Sequence, residues 1–212
     1  MKNTLKLLLA AATSVALAAC ESPPKKETQN EAKVTVAADD PLLKLDFEQF
    51  DQTPGSGWRL LASAERFAEA GAVIDAYLQR HAELTPGQRQ ILSFHAGQVY
   101  AFGGDYTRAR ERFRASITPN EPKDAPIRWN AYVSATIAFL ENDKAGLIYA
   151  RGLIQDGPAI NGVKPNLNFV DSFLENLGLP YSVAYRRAKP PVPEGTAPEG
   201  NVAEPVPAAG PS

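Results

Sequence analysis

Few residues in this chain have side chains that could act as acids, bases, nucleophiles or metal ligands. His81 and His95 are the only histidines, and neither stands at a metal-binding spacing from the other or from a pair of carboxylates. Ser93 and Ser134 lack the Gly-x-Ser-x-Gly context of an activated serine. His95 fits either a contact to a ligand or a satisfied hydrogen bond, and the second is the commoner role. We therefore predict a protein that is not an enzyme and that needs no metal or cofactor.

The chemistry that the sequence does indicate is a covalent modification near the N-terminus. Two lysines precede an apolar run over residues 7–19, which is typical of an export signal and short for a membrane span. The end of this segment, Leu17-Ala18-Ala19-Cys20, resembles the lipobox of bacterial lipoproteins. That resemblance implies a signal peptide of residues 1–19 and lipidation of Cys20, the only cysteine. The alternative is an ordinary signal that happens to precede a cysteine. The same resemblance implies the outer membrane rather than the inner one, because Glu21, not Asp, follows the cysteine.

The charge balance argues against a general affinity for nucleic acid. The chain has 22 basic and 24 acidic residues, and removal of a signal with two lysines leaves 20 basic residues and a formal charge of −4. Binding to nucleic acid or to an anionic membrane surface would call for a basic excess. From Arg108 to Arg114 every second residue is an arginine. This run fits either a patch for an acidic partner or a solvated helix face that Asp105 and Glu111 partly neutralise, and we favour the second interpretation.

The elements that would carry these residues are centred on residues 90–123, where the sequence predicts two helices packed as a hairpin. Thr85, Pro86 and Gln88 fit the N-cap, the first helical residue and the capping-box partner of the first helix. Gly104 fits the left-handed residue that ends this helix, and Asp105 fits the cap of the second helix. Small residues would let the two axes approach closely while aromatic residues fill the space beside them; these residues are Gly97, Ala109, Tyr100 and Phe113.

This pattern resembles the tetratricopeptide repeat, a helical hairpin of about 34 residues with Trp, Gly, Tyr, Ala and Phe at fixed spacings. One hairpin cannot bury its own apolar face, so neighbours of the same period are expected. The only two tryptophans, Trp58 and Trp129, are 71 residues apart and fit the signature position in a unit before and a unit after the central one. The resemblance then covers about residues 55–159 and implies an all-α solenoid of about three repeats.

The match to the repeat signature is uneven along the chain. The first unit has Ile74 where Ala is expected, and the central unit has Ser93 in place of Trp. In the third unit Leu140 stands at the expected turn glycine, while Ala145 and Tyr149 take the places of the signature Ala and Phe. The central unit is therefore the one that defines the alignment of the other two.

Outside the three units the sequence predicts capping helices and two extended segments. Residues 20–40 read as a polar, flexible linker that starts at the lipidated cysteine, and residues 188–212, with seven prolines, read as a disordered tail. Residues 41–187 would form one helical domain. Leu43, Phe47 and Phe50 have the spacing of a short helix over the first unit, or of a loop pinned by the two aromatic rings. Residues 167–177 have the spacing of a C-terminal capping helix.

In tetratricopeptide domains the first helix of each hairpin lines a concave groove, where the fifth and ninth residues of each repeat commonly meet the ligand. Side chains with guanidinium, amide, hydroxyl and aromatic groups at these positions suit an extended peptide, although they also fit a surface that only meets water. Transferred to this sequence, the resemblance implies a partner-binding groove formed by Arg59, Ser63, Phe94, Gln98, Asn130 and Ser134, with Arg66 one turn further along the first helix.

These features together predict a lipid-anchored adaptor on the periplasmic face of the outer membrane, which binds another protein or peptide of the cell envelope in its groove. The alternative is a lipoprotein that binds a small molecule or a glycan in an aromatic pocket around Trp58 or Phe94. A long shallow groove would favour the adaptor, and a deep aromatic pocket would favour the alternative. Membrane contact is expected through the lipid on Cys20. The sequence names neither the partner nor the oligomeric state.

Overall fold

The computed structural model of the protein describes residues 34–191 and residue 193, and the fold over these residues is helical. Apart from one isolated bridge between Ile160 and Val163, the described part of the chain has no β-structure. The prediction of an all-α protein is confirmed. Two short helical segments, Pro41–Lys44 and Glu48–Gln52, precede eight α-helices: α1 (Trp58–Ser63), α2 (Phe67–Arg80), α3 (Pro86–Phe102), α4 (Tyr106–Ala115), α5 (Trp129–Leu140), α6 (Lys144–Gln155), α7 (Leu167–Glu175) and α8 (Tyr181–Arg186).

Several sequence predictions fall outside the described residues. These are the signal peptide, the lipidation of Cys20, the linker as far as residue 33, and the tail beyond residue 191 except Pro193. All the helices above lie within residues 41–186. Within the predicted linker, Val36 packs against the core and the Ala38 carbonyl accepts a hydrogen bond from Arg80 (3.0 Å). Contacts with the domain therefore begin a few residues before the predicted boundary at residue 41.

The α-helices follow one another as four pairs, and each pair turns at a residue in the left-handed conformation. Glu65 (φ 57°), Gly104 (φ 85°), Asn142 (φ 56°) and Gly178 (φ 87°) occupy these turns, 39, 38 and 36 residues apart. Such a residue ends the first helix of a pair because its backbone cannot continue a right-handed spiral. Successive pairs pack on one another, α2 against α3, α4 against α5 and α6 against α7.

The central pair, α3 and α4, has the local structure that its sequence predicts. Thr85 and Gln88 form the reciprocal capping box, with the Thr85 amide donating to Gln88 Oε1 (2.9 Å) and the Gln88 amide to Thr85 Oγ1 (3.3 Å). Asp105 caps α4 by accepting a hydrogen bond from the amide of residue 108 (3.0 Å). A Cβ atom added at Gly97 would lie 2.7 Å from the ring of Phe113, so the glycine is what permits this close approach.

The alignment of the neighbouring pairs through their tryptophans is wrong. Trp58 lies seven residues before its left-handed turn at Glu65, whereas Trp129 lies thirteen residues before the turn at Asn142, so the two are not equivalent. As a result Tyr149, aligned with the buried signature Phe, is 70 % exposed. The residues five positions after the first three turns share one environment: Ala70, Ala109 and Leu147 are all fully buried.

The N-terminal segment covers the open side of the first helix pair. The predicted helix is replaced by the two short segments, and both pack on α2. Phe50 stacks on Tyr77 with ring centroids 3.7 Å apart, and the Tyr77 hydroxyl donates to the Leu45 carbonyl (3.0 Å). His81 lies on the other face of Tyr77 (3.9 Å), and its Nε2 is 3.0 Å from the Leu43 carbonyl. This segment is therefore held on α2 and His81 by aromatic contacts and by hydrogen bonds to backbone carbonyls.

The C-terminus differs from the single capping helix that the sequence predicts. After α7 the chain turns at Gly178, and α8 packs on α7 and returns to contact α3. Tyr181, at the start of α8, is fully buried, and its ring contacts the rings of Tyr185 on the same helix and of four residues on other helices. These four residues are Phe102, Phe113, Phe139 and Phe173, and the ring partners of Tyr185 include Phe102 and Phe169. Because these rings come from α3, α4, α5 and α7, α8 covers the surface on which those helices converge.

Candidate functional site

The predicted groove residues do not form one continuous surface. Arg59, Ser63 and Gln98 line one pocket, and Asn130 and Ser134 line another. Arg66 lies outside both, at the start of α2, where it pairs with Glu69 (2.5 Å) and is exposed to solvent. The structure thus places three of the seven residues in one pocket and two in another.

Phe94 is buried, so the expectation that it faces a ligand groove is wrong. Its side chain is 4 % exposed. The ring lies 5.1 Å from that of Phe113, 4.8 Å from that of Trp129 and 5.4 Å from that of Tyr132. These neighbours come from α4 and α5, and Phe94 therefore fills the junction between the second and third helix pairs. The packing of α5 against this junction turns a groove position into a core position.

Asn130 is held by bonds within the chain. Its Oδ1 accepts from the Thr118 amide (2.8 Å) and its Nδ2 donates to the Thr118 carbonyl (2.8 Å). The Asn130 amide donates to Glu121 Oε1 (2.9 Å). These bonds fix the loop between α4 and α5, so the amide is already engaged. Ser134 is exposed one turn further along α5.

The pocket that contains Arg59, Ser63 and Gln98 lies between α1, α3 and α8, and we call it the α1–α3–α8 pocket. Its volume is 510 Å³, and its apolar lining includes the rings of Trp58, Phe67 and Phe102. Two cations accompany these rings. The Arg59 guanidinium lies 4.3 Å from the centre of the Trp58 ring, and that of Arg186, on α8, lies 5.7 Å from the centre of the Phe102 ring. Glu65 is the one acidic residue in the lining.

A buried carboxylate holds the Trp58 side of this pocket in place. Asp51 is fully buried, and its Oδ1 accepts a hydrogen bond from Trp58 Nε1 (2.8 Å) and lies 2.7 Å from His95 Nδ1. Gln52 donates to the other oxygen (2.5 Å), and Arg59 Nε donates to the Asp51 carbonyl (2.9 Å). Neither Trp58 nor Arg59 can turn away without breaking a bond to Asp51, so the indole and the guanidinium are set before any ligand arrives.

The protonation state of this cluster follows from the same contacts. Burial acts to raise the pKa of the Asp51 carboxyl, but the hydrogen bond and charge of His95, with Trp58 and Arg59, outweigh burial and leave that pKa below its ordinary value. Asp51 is therefore ionised and accepts from both rings, which assigns the donated proton of His95 to Nδ1. His95 thus has the satisfied hydrogen bond that its sequence context favours. Sequence reasoning missed Asp51, because nothing next to it in the chain marks it as a partner of α1 and α3.

The arginines of α4 are paired with carboxylates, mostly on other elements. Arg112 Nε lies 2.7 Å from Asp75 Oδ1 on α2, and Arg114 lies 2.6 Å from Glu141 just after α5. Arg110 is 3.7 Å from the same Glu141 oxygen, and Arg108 pairs with the capping Asp105. The Arg114–Glu141 pair is exposed, and an exposed pair is worth about 0–1 kcal/mol. The run fits the predicted solvated helix face, with Asp75 and Glu141 as partners beside Asp105, and it joins α4 to both neighbours.

Among residues 34–191 and 193, no group of three or more His, Cys, Asp or Glu side chains is placed to hold a metal ion. No helix in this part of the chain is both long and apolar enough to cross a membrane. Comparison of the sequence with protein-family models and with curated proteins, and of the fold with solved structures, finds no match.

Proposed function

We propose that the four helix pairs form a tetratricopeptide-like array, and that the protein is a lipid-anchored adaptor on the periplasmic face of a bacterial outer membrane. The left-handed turns recur every 36 to 39 residues, close to the period of about 34 residues of that repeat. The lipobox-like end of the signal, with Cys20 as the acylated residue, supports the anchor. In this role the domain binds a segment of another envelope protein.

In this proposal the partner segment binds in the α1–α3–α8 pocket. The surface between α3, α5 and α7 is not accessible to a partner, because α8 already covers it. The observation that carries the proposal is the pair of guanidinium groups, Arg59 and Arg186, set over the aromatic rings of the pocket. A guanidinium beside an aromatic face can still donate two hydrogen bonds to one carboxylate. The rings supply apolar area, while Ser63 supplies a hydroxyl for a peptide backbone. The fitting ligand is an extended segment with a carboxylate next to an apolar side chain.

Charge reversal at Arg186 tests the proposal. Arg186 is exposed, so Arg186→Glu should leave the fold intact while it places a carboxylate where the ligand's own carboxylate would lie. Lys44→Glu makes the same charge change at another exposed residue outside the pocket and serves as the control. Each chain is crosslinked in intact cells and recovered from solubilised membranes. We expect the wild type and Lys44→Glu to retain one common protein that Arg186→Glu loses; equal recovery by all three would refute the pocket as the binding site.

A second candidate, a small anionic molecule or glycan as the ligand, is favoured by the aromatic side of the same pocket. Trp58 is 6 % exposed and stands beside Arg59, an arrangement that also suits a planar or sugar-like ligand. The two candidates differ in what the extract must contain. A protein-free filtrate of the same extract should raise the melting temperature of the wild type but not of Arg186→Glu if the ligand is small. A filtrate without effect would leave the protein partner as the ligand class.

A further inference from the structure

Helix α6 has two apolar faces, and only one of them is covered. Leu147, Ala150 and Ile154 are buried against the other helices. On the outer side Ile148 is 52 % exposed, Tyr149 is 70 % exposed and Leu153 is 42 % exposed. Two small residues complete this stripe: Ala145 is exposed, and a Cβ atom added at Gly152 would meet nothing within 4 Å.

The spacing of the outer residues makes a continuous face rather than scattered exposure. Positions 145, 148, 149, 152 and 153 are separated by three, one, three and one residues, which is the spacing of neighbours along one side of an α-helix. An exposed apolar stripe of this length is unusual for an isolated domain and marks a surface that another chain covers. We call it the outer face of α6.

The outer face is complementary to itself. Two copies of α6 can be placed antiparallel about a two-fold axis near residue 150. Ile148 of one copy then lies opposite Gly152 of the other, so a large side chain meets the open space beside a glycine. Tyr149 lies beside the axis, where two rings can meet. A two-fold interface needs this property, because each copy presents the same patch to the other.

The charges at the two ends of the helix favour the same arrangement. Lys144 and Asp156 are both exposed, and neither has an ion-pair partner within 4.0 Å among the residues that the structure describes. They lie about 18 Å apart along the helix axis at the usual rise per residue. An antiparallel pairing centred on residue 150 brings Lys144 of each copy to Asp156 of the other, with opposite charges at both ends.

We propose that the outer face of α6 is a homodimer interface, with a second copy of this chain as its occupant. The interface lies on α6, none of whose residues lines the α1–α3–α8 pocket, so it does not depend on the function proposed for that pocket. Two copies joined through α6 present two pockets on one assembly. A partner with two binding segments would then be held more tightly than by either pocket alone.

The mass of the purified full-length chain in detergent, measured by light scattering, tests this interface. We expect the wild type to have the mass of two copies and Ile148→Glu to have the mass of one, because a carboxylate would be buried unpaired at the contact. Leu60→Glu is the matched control: Leu60 is 54 % exposed, but it lies on α1, so this variant should remain a dimer. Circular dichroism verifies that both variants are folded.

A charge exchange keeps the test decisive even if Ile148→Glu fails to fold. Lys144→Glu and Asp156→Lys should each shift the mass towards one copy, because each places like charges opposite one another, and the double variant should restore the dimer. A wild type with the mass of one copy would overturn the proposal. A dimer that Ile148→Glu leaves intact, or an outer face covered by a different protein, would overturn it as well.

Discussion

Replacing Phe94 by alanine tests whether Phe94 is a core residue or a residue that faces a ligand. The ring is 4 % exposed and contacts three other aromatic rings that belong to α4 and α5. Removing a buried phenylalanine side chain typically costs about 3–5 kcal/mol, because apolar burial is lost and a cavity remains. Single domains have unfolding free energies of about 5–15 kcal/mol, so Phe94→Ala should remove roughly a third of the stability. For a domain of this size the melting temperature should fall by roughly 10 °C.

Urea unfolding followed by circular dichroism measures this loss, on chains that start at residue 21 so that no lipid interferes. Leu60→Ala is the control, since a side chain that is 54 % exposed should cost less than about 0.5–1 kcal/mol. Phe94→Leu should have an intermediate effect, because leucine keeps part of the apolar volume. If Phe94→Ala loses less than about 1 kcal/mol, then Phe94 faces solvent and the packing of α3 against α5 described above is incorrect.

Three further expectations concern a glycine contact, a buried acid and the anchor. Gly71→Ala should lower the free energy of unfolding by about 1–3 kcal/mol, because its Cβ would lie 2.5 Å from Cζ of Tyr100. Gly87→Ala on α3 is the control, because its Cβ would meet open space and should not destabilise the fold. The urea midpoints of both variants measure the difference. Asp51→Asn should lower the free energy of unfolding at neutral pH, and this difference from the wild type should shrink below about pH 4. The folded-state pKa of Asp51 is lowered, so the stabilisation by its carboxylate is present above the unfolded-state pKa and is lost as pH falls through the folded-state pKa. Cys20→Ala should move the protein from the membrane to the soluble fraction, and persistence in salt-washed membranes would contradict the lipid anchor.

Local signals in the sequence predicted the central helix pair well. The capping box of Thr85 and Gln88, the left-handed Gly104 and the cap Asp105 each depend on residues within a few positions of one another. The contact of Gly97 with Phe113 also follows from a single hairpin. Such features are set by backbone geometry and short-range hydrogen bonds, so they can be recognised without knowing what packs around them.

The neighbouring pairs were harder to place because their turns carry no glycine. Glu65 and Asn142 adopt the left-handed conformation with side chains that also fit helices and loops, so the sequence offered the tryptophans as the more visible markers. Trp58 donates to buried Asp51, while Trp129 donates to the Ser116 carbonyl (2.7 Å). The two tryptophans therefore have different structural roles, although they are the same residue type. Aligning on turns rather than on tryptophans is what the structure supports.

The candidate site could not be predicted as a whole, because it depends on contacts between distant parts of the chain. Three of the residues that the sequence assigned to a groove, Arg59, Ser63 and Gln98, line one pocket. It gave no reason to add Arg186, which reaches the pocket only because α8 folds back onto α3. Asp51, in the segment before α1, was missed for the same reason.

The return of α8 onto α3 also determines how the domain comes apart. In an open helical array each hairpin touches only its neighbours, so an end can fray while the rest stays folded. Here Tyr181, from the last pair, is buried against Phe102 and Phe113 of the second pair and donates its amide to the Tyr106 hydroxyl (3.0 Å). Opening either pair exposes the same aromatic cluster. The second, third and fourth pairs are therefore coupled into one cooperative unit through Tyr181, which also contacts Phe139 of the third pair.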